Sequence, residues 1–252
     1  MGHPEVVGYH PVAPSAIALK AELFTGPKGL LPAPVPRALS TQQVRCEVQV
    51  FADAARRAID AGFDGVELHG ANGYLIQQFL SSNANQRTDA YGGSVTGRIR
   101  FAVEVAEAVS DAIGPDRVGI RLSPGGQVWD MVEDDVPQLY AALIDELAPL
   151  GLAYVHAVAT AEDDLLIALR KAWPNAFIVN PSQQIGGEPA NQALGERWLA
   201  HGADLISYGR AYLANPDLVE RFRIGTPLRE AAPETFFQGG DSGYIDYASY
   251  QH

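Results

Sequence analysis

Glu67 and His69 stand two residues apart in the stretch FDGVELHGANGYLIQQF, with Asn72 and Tyr74 following closely. A spacing of two puts Glu67 and His69 on one face of a strand, and the Gly- and Asn-rich residues after them mark the turn that leaves it. His69 and Asn72 can both donate hydrogen bonds, and two donors converging on one oxygen would polarise a carbonyl. A tyrosine phenol ordinarily titrates near ~10, so Tyr74 is a candidate proton donor at neutral pH. Two donors with a weak acid beside them are the equipment for adding hydride to an activated C=C bond. Each residue also has a plainer reading. A histidine at a strand end is commonly structural or a metal ligand, an Asn before Gly is commonly a turn, and a lone Tyr commonly packs. Taken alone, these residues leave the readings side by side.

The elements that must hold them recur along the chain. Short apolar runs at 63–68 (FDGVEL), 117–122 (RVGIRL), 152–158 (LAYVHAV), 176–179 (AFIV) and 203–208 (ADLISY) each follow a helical stretch and a turn. Their composition predicts parallel strands buried on both faces. Between them, Val50, Phe51, Ala54, Ala55, Ala58 and Ile59 recur at helical spacing. So do Ile99, Val103, Ala106, Val109 and Ile113 behind a Ser94 start, and Leu139, Leu143, Leu147 and Leu150. Asn215 with Pro216 reads as another helix start. Alternating strands and helices imply parallel pairing with right-handed crossovers, an α/β fold. The strand starts lie roughly 35 residues apart, which matches the unit of a (β/α)8 TIM-type barrel. About five βα units are present, so the periodicity fits either an open doubly wound sheet or an incomplete barrel. The first 46 residues read as a Pro-rich excursion (LLPAPVPRALS), and the tail from Thr226 as a turn-rich aromatic cap. The whole chain, 1–252, is expected to be one domain.

Composition narrows the partners. The 252 residues carry 18 Lys and Arg against 30 Asp and Glu, a formal net charge of −12. Such a surface disfavours nucleic acid and anionic membranes. No apolar run approaches the ~18–20 residues of a membrane span. Cys46 is the single cysteine, which excludes an internal disulfide framework, and no zinc-ligand spacing surrounds it. The N-terminal residues show no basic-then-apolar leader, so the expected location is cytoplasmic.

The segment HGANGYLIQQFLSSNANQRTDAYGGS, from His69 to Ser94, closely resembles the old yellow enzyme family of FMN-dependent ene-reductases. PVAPSAI near the start, PRALS, GIRLSP, SYGRAYLANPDLVERF and the GYIDY tail resemble it too, in the family's order. The resemblance implies an NAD(P)H-oxidising enzyme that reduces the C=C bond of α,β-unsaturated carbonyl or nitro compounds, small electrophilic alkenes. By position, His69 and Asn72 match the pair that binds the substrate oxygen, and Tyr74 matches the proton donor. Arg121 matches the arginine beside the flavin N1 and O2 edge; its alternative is an interior salt bridge with Glu67. Gly209 and Arg210 match the FMN phosphate site, with Gly186 and Gly187 in the partner loop. Arg87, Thr88 and Asp89 read as a loop clamp, His156 as a core residue, and Trp129, Trp173 and Trp198 as packing. A metal-dependent hydrolase using Glu67, His69 and His156 is a distant rival, since the paired-His strand motif of such enzymes is missing. An inactive remnant or interaction module of the same fold is the non-enzyme rival.

The family fold is a complete eight-strand barrel, and the resemblance places the start of this chain just after the third strand. Strands one to three, the loop contacting flavin N5 and O4, and a glutamine reading the pyrimidine edge would then lie outside it. If the chain is the whole product, the expectation is weak FMN binding through the phosphate end. A complementary N-terminal chain or self-association would restore the remainder.

Overall fold

Alternation along the strands decides which face is covered. In the computed structural model, which describes residues 4, 8–25, 28–182, 190–236 and 240–250, a five-stranded sheet forms from β5 (Val66–Gly70), β6 (Val118–Leu122), β7 (Tyr154–Val158), β8 (Ala176–Asn180) and β9 (Leu205–Ile206). The strands lie in sequence order and all pairs are parallel. Leu68, Ile120, Val155 and Phe177 fall in one register row, and Leu122, Ala157 and Val179 in another on the same face. All are buried in the main apolar cluster.

Helices supply the other side of that cluster. They are α1 (Thr41–Asp60), α2 (Leu75–Leu80), α3 (Val95–Ile113), α4 (Val136–Leu147), α5 (Asp163–Ala172) and α6 (Gln192–Ala200), with the short α7 (Arg210–Ala214) and α8 (Leu218–Ile224) after β9. Val44 and Val48 of α1, Ile99, Phe101 and Val105 of α3, and Leu139 and Leu143 of α4 reach into the core. Ser40 and Gln43 form a reciprocal capping box at the start of α1. Ser94 caps α3 by accepting from the Gly97 amide at 3.1 Å, where the sequence placed the start.

Two expectations are corrected. Burial on both faces holds for most of β6 and β7 but not for the whole sheet: the row that carries Glu67, His69, Arg121 and His156 is exposed at Glu67 and His69, and Leu205 on the same face is 55% exposed. Polar residues at alternate positions keep that face open to solvent or ligand. The helix expected at Asn215 begins at Leu218. The Asn215 side chain instead donates to the Ala211 and Arg229 carbonyls and accepts from the Arg229 amide, so it closes α7 and anchors the tail.

The Pro-rich N-terminal excursion folds as a strap. β1 (Val12–Ala13) pairs in parallel with β4 (Arg37–Ala38), and β2 (Glu22–Phe24) with β3 (Leu30–Pro32) makes an antiparallel hairpin. The Arg87 guanidinium fixes the strap to the body. It donates to the Pro14 carbonyl at 2.9 Å and to the Leu39 carbonyl, and pairs with Asp89. Asp89 also accepts from Thr41 at 2.6 Å. These bonds hold its carboxyl down at about 2, the Arg87 bond contributing most.

Candidate active site

The open face of the sheet brings the chemistry together. His69, Arg121 and His156 are direct register partners on β5, β6 and β7, near the C-terminal ends of three parallel strands. One pair earlier lie Glu67, Gly119 and Tyr154. A Cβ on Gly119 would overlap the Tyr154 ring, so glycine there lets Tyr154 cross β6 to hydrogen-bond Glu67. Glu67 also meets His156 Nδ1 at 2.9 Å, and His156 Nε2 meets Ser207 Oγ at 2.7 Å. The core histidine of the sequence reading is buried, but it is a link in a polar chain that runs from β5 through β7 to the end of β9.

Charge in this row sets the titration. Burial pushes the Tyr154 phenol up to about 12, aided by the Glu67 carboxylate. For Glu67, burial raises the pKa, but His156, Arg121 and Tyr154 together outweigh it and leave the carboxyl below its ordinary value. His69 is lowered, first by burial and then by the Arg121 cation. At neutral pH it is therefore an uncharged imidazole, able to donate one hydrogen bond. Burial also lowers Arg121. Its Nε is buried without a hydrogen-bond partner, a donor on the open face still to be satisfied.

The turn after β5 is built by residues the sequence did not single out. Asn72 has a φ of 57°, and its amide donates to Ser123 Oγ at 3.0 Å. Gly73 follows at a φ of 77°, and a Cβ there would lie 2.7 Å from the Val128 carbonyl and 2.9 Å from Trp129. Gln77, fully buried in α2, accepts from the Gly73 amide at 2.7 Å and from Ser123 Oγ at 3.1 Å. Its amide donates to the Ser123 and Gly126 carbonyls and to Glu133 at 3.0 Å. Glu133 in turn accepts from the Gly125 amide and from the buried Tyr140 hydroxyl. Burial raises Glu133, and these donors oppose it. The network locks the turn so that the His69 and Tyr74 rings lie 5.1 Å apart at a 50° tilt, with Tyr74 37% exposed.

The loop after β6 carries Trp129 and Asp130 at φ values of 58° and 63°. Left-handed backbone costs a non-glycine residue about 1–2 kcal/mol. Asn83 holds the segment in place, donating to the Asp130 carbonyl at 2.6 Å and accepting from the Val132 amide at 2.9 Å. Trp129 thereby joins Tyr74 in the wall of a cavity of about 250 Å3 beneath the strap.

Residues 10–229 match the sequence profile of the NADH:flavin oxidoreductase / NADH oxidase family. The chain belongs to that family. It is 41% identical over 228 residues to 12-oxophytodienoate reductase 2 of Arabidopsis thaliana, covering 85% of this chain and 58% of that protein. It is 41% identical over 251 residues to chanoclavine-I aldehyde reductase of Penicillium roqueforti, covering 96% and 65%. Morphinone reductase in complex with tetrahydroNAD superposes with a TM-score of 0.88 at 39% identity, over 97% of this chain and 68% of that one. The old yellow enzyme homologue of Zymomonas mobilis gives 0.89 at 33% identity, over 98% and 70%. The chain thus spans 58% to 70% of the length of these relatives. The five βα units are an incomplete barrel of the old yellow enzyme type, and the doubly wound alternative is excluded.

Against that fold, the expected site residues can be located. His69 and Arg121 share the open face, and Asn72 and Tyr74 sit on the turn above β5. Gly209 and Arg210 begin α7 just beyond β9, at the same rim. Gly186 and Gly187 lie outside the described residues. Among the described residues, no group of three or more His, Cys, Asp or Glu side chains is arranged for a metal ion, and Glu67 and His156 bond each other. Sequence reasoning missed Gln77, Ser123 and Glu133. The one available signal was a glutamine a single helical turn past the donor turn.

Proposed function

We propose that this chain is the alkene-activating part of an FMN-dependent, NAD(P)H-oxidising ene-reductase acting on α,β-unsaturated carbonyl or nitro compounds. The observation that carries the reading is the locked pair His69–Tyr74 on the rim next to Arg121, whose buried Nε lacks a partner. That donor fits the electron-rich edge of a flavin, and Gly209 with Arg210 fits its phosphate, where glycine admits close approach and arginine bonds oxygens in pairs. FMN, held by Arg121, Gly209 and Arg210, would supply the two-electron chemistry that carries hydride from NAD(P)H to the activated alkene.

The chain's own residues do the rest. His69, neutral, and Asn72 would each donate to the substrate oxygen and stabilise the negative charge that grows there. Tyr74 would give its phenolic proton to the α-carbon, and the phenolate would recover a proton from water. Arg121 would place a fixed positive charge against the reduced ring. Turn rigidity matters because a donor displaced by 1 Å can cost about 10²-fold. The single-domain organisation, supported by one continuous apolar cluster, and the cytoplasmic setting belong to the same proposal. No helix among the described residues is long and apolar enough to cross a membrane.

Tyr74→Phe tests it. In stopped flow, oxidation of the reduced flavin by cyclohex-2-enone should slow by roughly 10²-fold or more, the usual share of general acid catalysis. Reduction by NADPH should keep its rate, since no proton from Tyr74 enters that half-reaction. Equal damage to both halves would remove the proton-donor assignment.

A further inference from the structure

The cavity of about 250 Å3 beneath the strap is not needed to polarise or protonate an alkene, yet the proton donor forms part of its wall. Val12 and Leu23 line it from the strap, Tyr74 and Leu75 from the donor turn, and Trp129 and Met131 from the loop after β6. We propose that it is a substituent pocket: it takes an uncharged alkyl or alkenyl chain borne on the alkene carbon that Tyr74 protonates, with Trp129 as its specificity-determining wall. The inference rests on the ene-reductase reading and names the substrate class of that site.

Three observations support it. The pocket is preformed, because the Arg87–Asp89–Thr41 clamp ties the strap down on one side and the Asn83 bonds tie the Trp129 loop on the other. A preformed apolar cavity binds a chain without paying to order its own walls. Two of the four left-handed non-glycine residues among the described residues, Trp129 and Asp130, lie at its rim. Strain of that kind persists where the surroundings over-determine the conformation, and such places cluster at ligand clamps. Finally, the charged side chain in the lining is Asp130, which is exposed. It would repel a terminal carboxylate and has no cation beside it in the lining, so the chain end should be neutral.

The volume sets a length. At about 30 Å3 per methylene- or water-sized group, the pocket holds roughly eight such groups. Each methylene buried should tighten binding roughly two- to fourfold, the upper figure being the full transfer value.

The test uses cyclohex-2-enones carrying 2-alkyl chains from methyl to octyl. Binding to the FMN-loaded chain is measured by calorimetric titration and, independently, by the change in Trp129 fluorescence, with Trp129→Phe as the blank. Affinity should climb with chain length up to about eight carbons, and a terminal carboxylate should abolish the gain. Ala18→Phe and Ala84→Leu, two independent fillings of the lining, should each collapse the ratio of octyl to methyl affinity toward one. Short enones that bind while affinity ignores chain length would overturn the pocket and leave the ene-reductase reading standing. Octyl ethers without the enone that bind as tightly as the octyl enone, with no enone reduced, would overturn that reading, and with it the assignment of the pocket to a substrate chain.

Discussion

Replacing Gln77 by leucine should damage the donor turn from below. The side chain is fully buried and joins Gly73, Ser123, Gly126 and Glu133. Leucine fills the space but makes none of these bonds. The Gly73 amide and the Ser123 hydroxyl lose their acceptor in a buried setting, and Glu133 loses one of its three donors. At about 1–3 kcal/mol for each stranded group, the loss centres on about 4 kcal/mol. For a chain of this size that corresponds to a fall in Tm of roughly 8–16 °C, measured by circular dichroism. Glu133, already raised by burial, should rise further without the Gln77 donor. The double variant Gln77→Leu/Glu133→Leu also removes the carboxylate that lost its Gln77 donor. It should be less destabilised than the sum of the single variants by about 1–3 kcal/mol. In stopped flow, the step that consumes the enone should slow more than flavin reduction, because the turn bearing Asn72 and Tyr74 loosens. An unchanged Tm, or additive single variants, would show that the network does not hold the turn.

Gly119→Ala should push the Tyr154 ring off β6 and break its bond to Glu67. An ultraviolet pH titration would then find the Tyr154 phenol moving from about 12 toward its ordinary 10.0. Arg121→Met removes the cation that depresses His69, so the imidazole, followed by NMR, should titrate at higher pH than in the parent chain while staying below 6.5, since burial is the larger cause. The folded pKa of Asp89 lies at about 2 against an ordinary 3.8, so its contribution to stability is present above 3.8 and is lost as pH falls through about 2. Asp89→Asn should therefore flatten the acid limb of stability between those values, as read from denaturant midpoints at each pH.

The parts of the fold that depend on local periodicity were legible. Five strands, their order and the helices between them follow from alternating composition and turn residues, and Ser94 announced its helix with a cap. What failed was decided by distant partners. Asn215 next to Pro216 has the chemistry of a helix start, but its side chain is claimed by Ala211 behind and Arg229 ahead, which no local window shows. In the site, the types and spacing of His69, Asn72 and Tyr74 carried chemical meaning. Gln77, Ser123 and Glu133 did not, because their role exists only once α2 and the loop after β6 meet. Trp129 read as packing for the same reason: its left-handed backbone and its place beside Tyr74 are products of tertiary structure.

The register of the polar row has a consequence for how the sheet finds its alignment. Moving β6 by one residue against β5 would turn Arg121 into the helix-packed core and bring Ile120 and Leu122 onto the open face. Burying an unpaired ion costs several kcal/mol, so the misaligned sheet is penalised at the very residues placed for chemistry. Glu67, Arg121 and His156 act as alignment marks, one on each of three neighbouring strands. A sheet whose packed face is apolar throughout gains from such marks. Arg121→Leu would erase one of them as well as a cation, leaving β6 with no charge to mark its open face and a sheet more prone to slipped pairings.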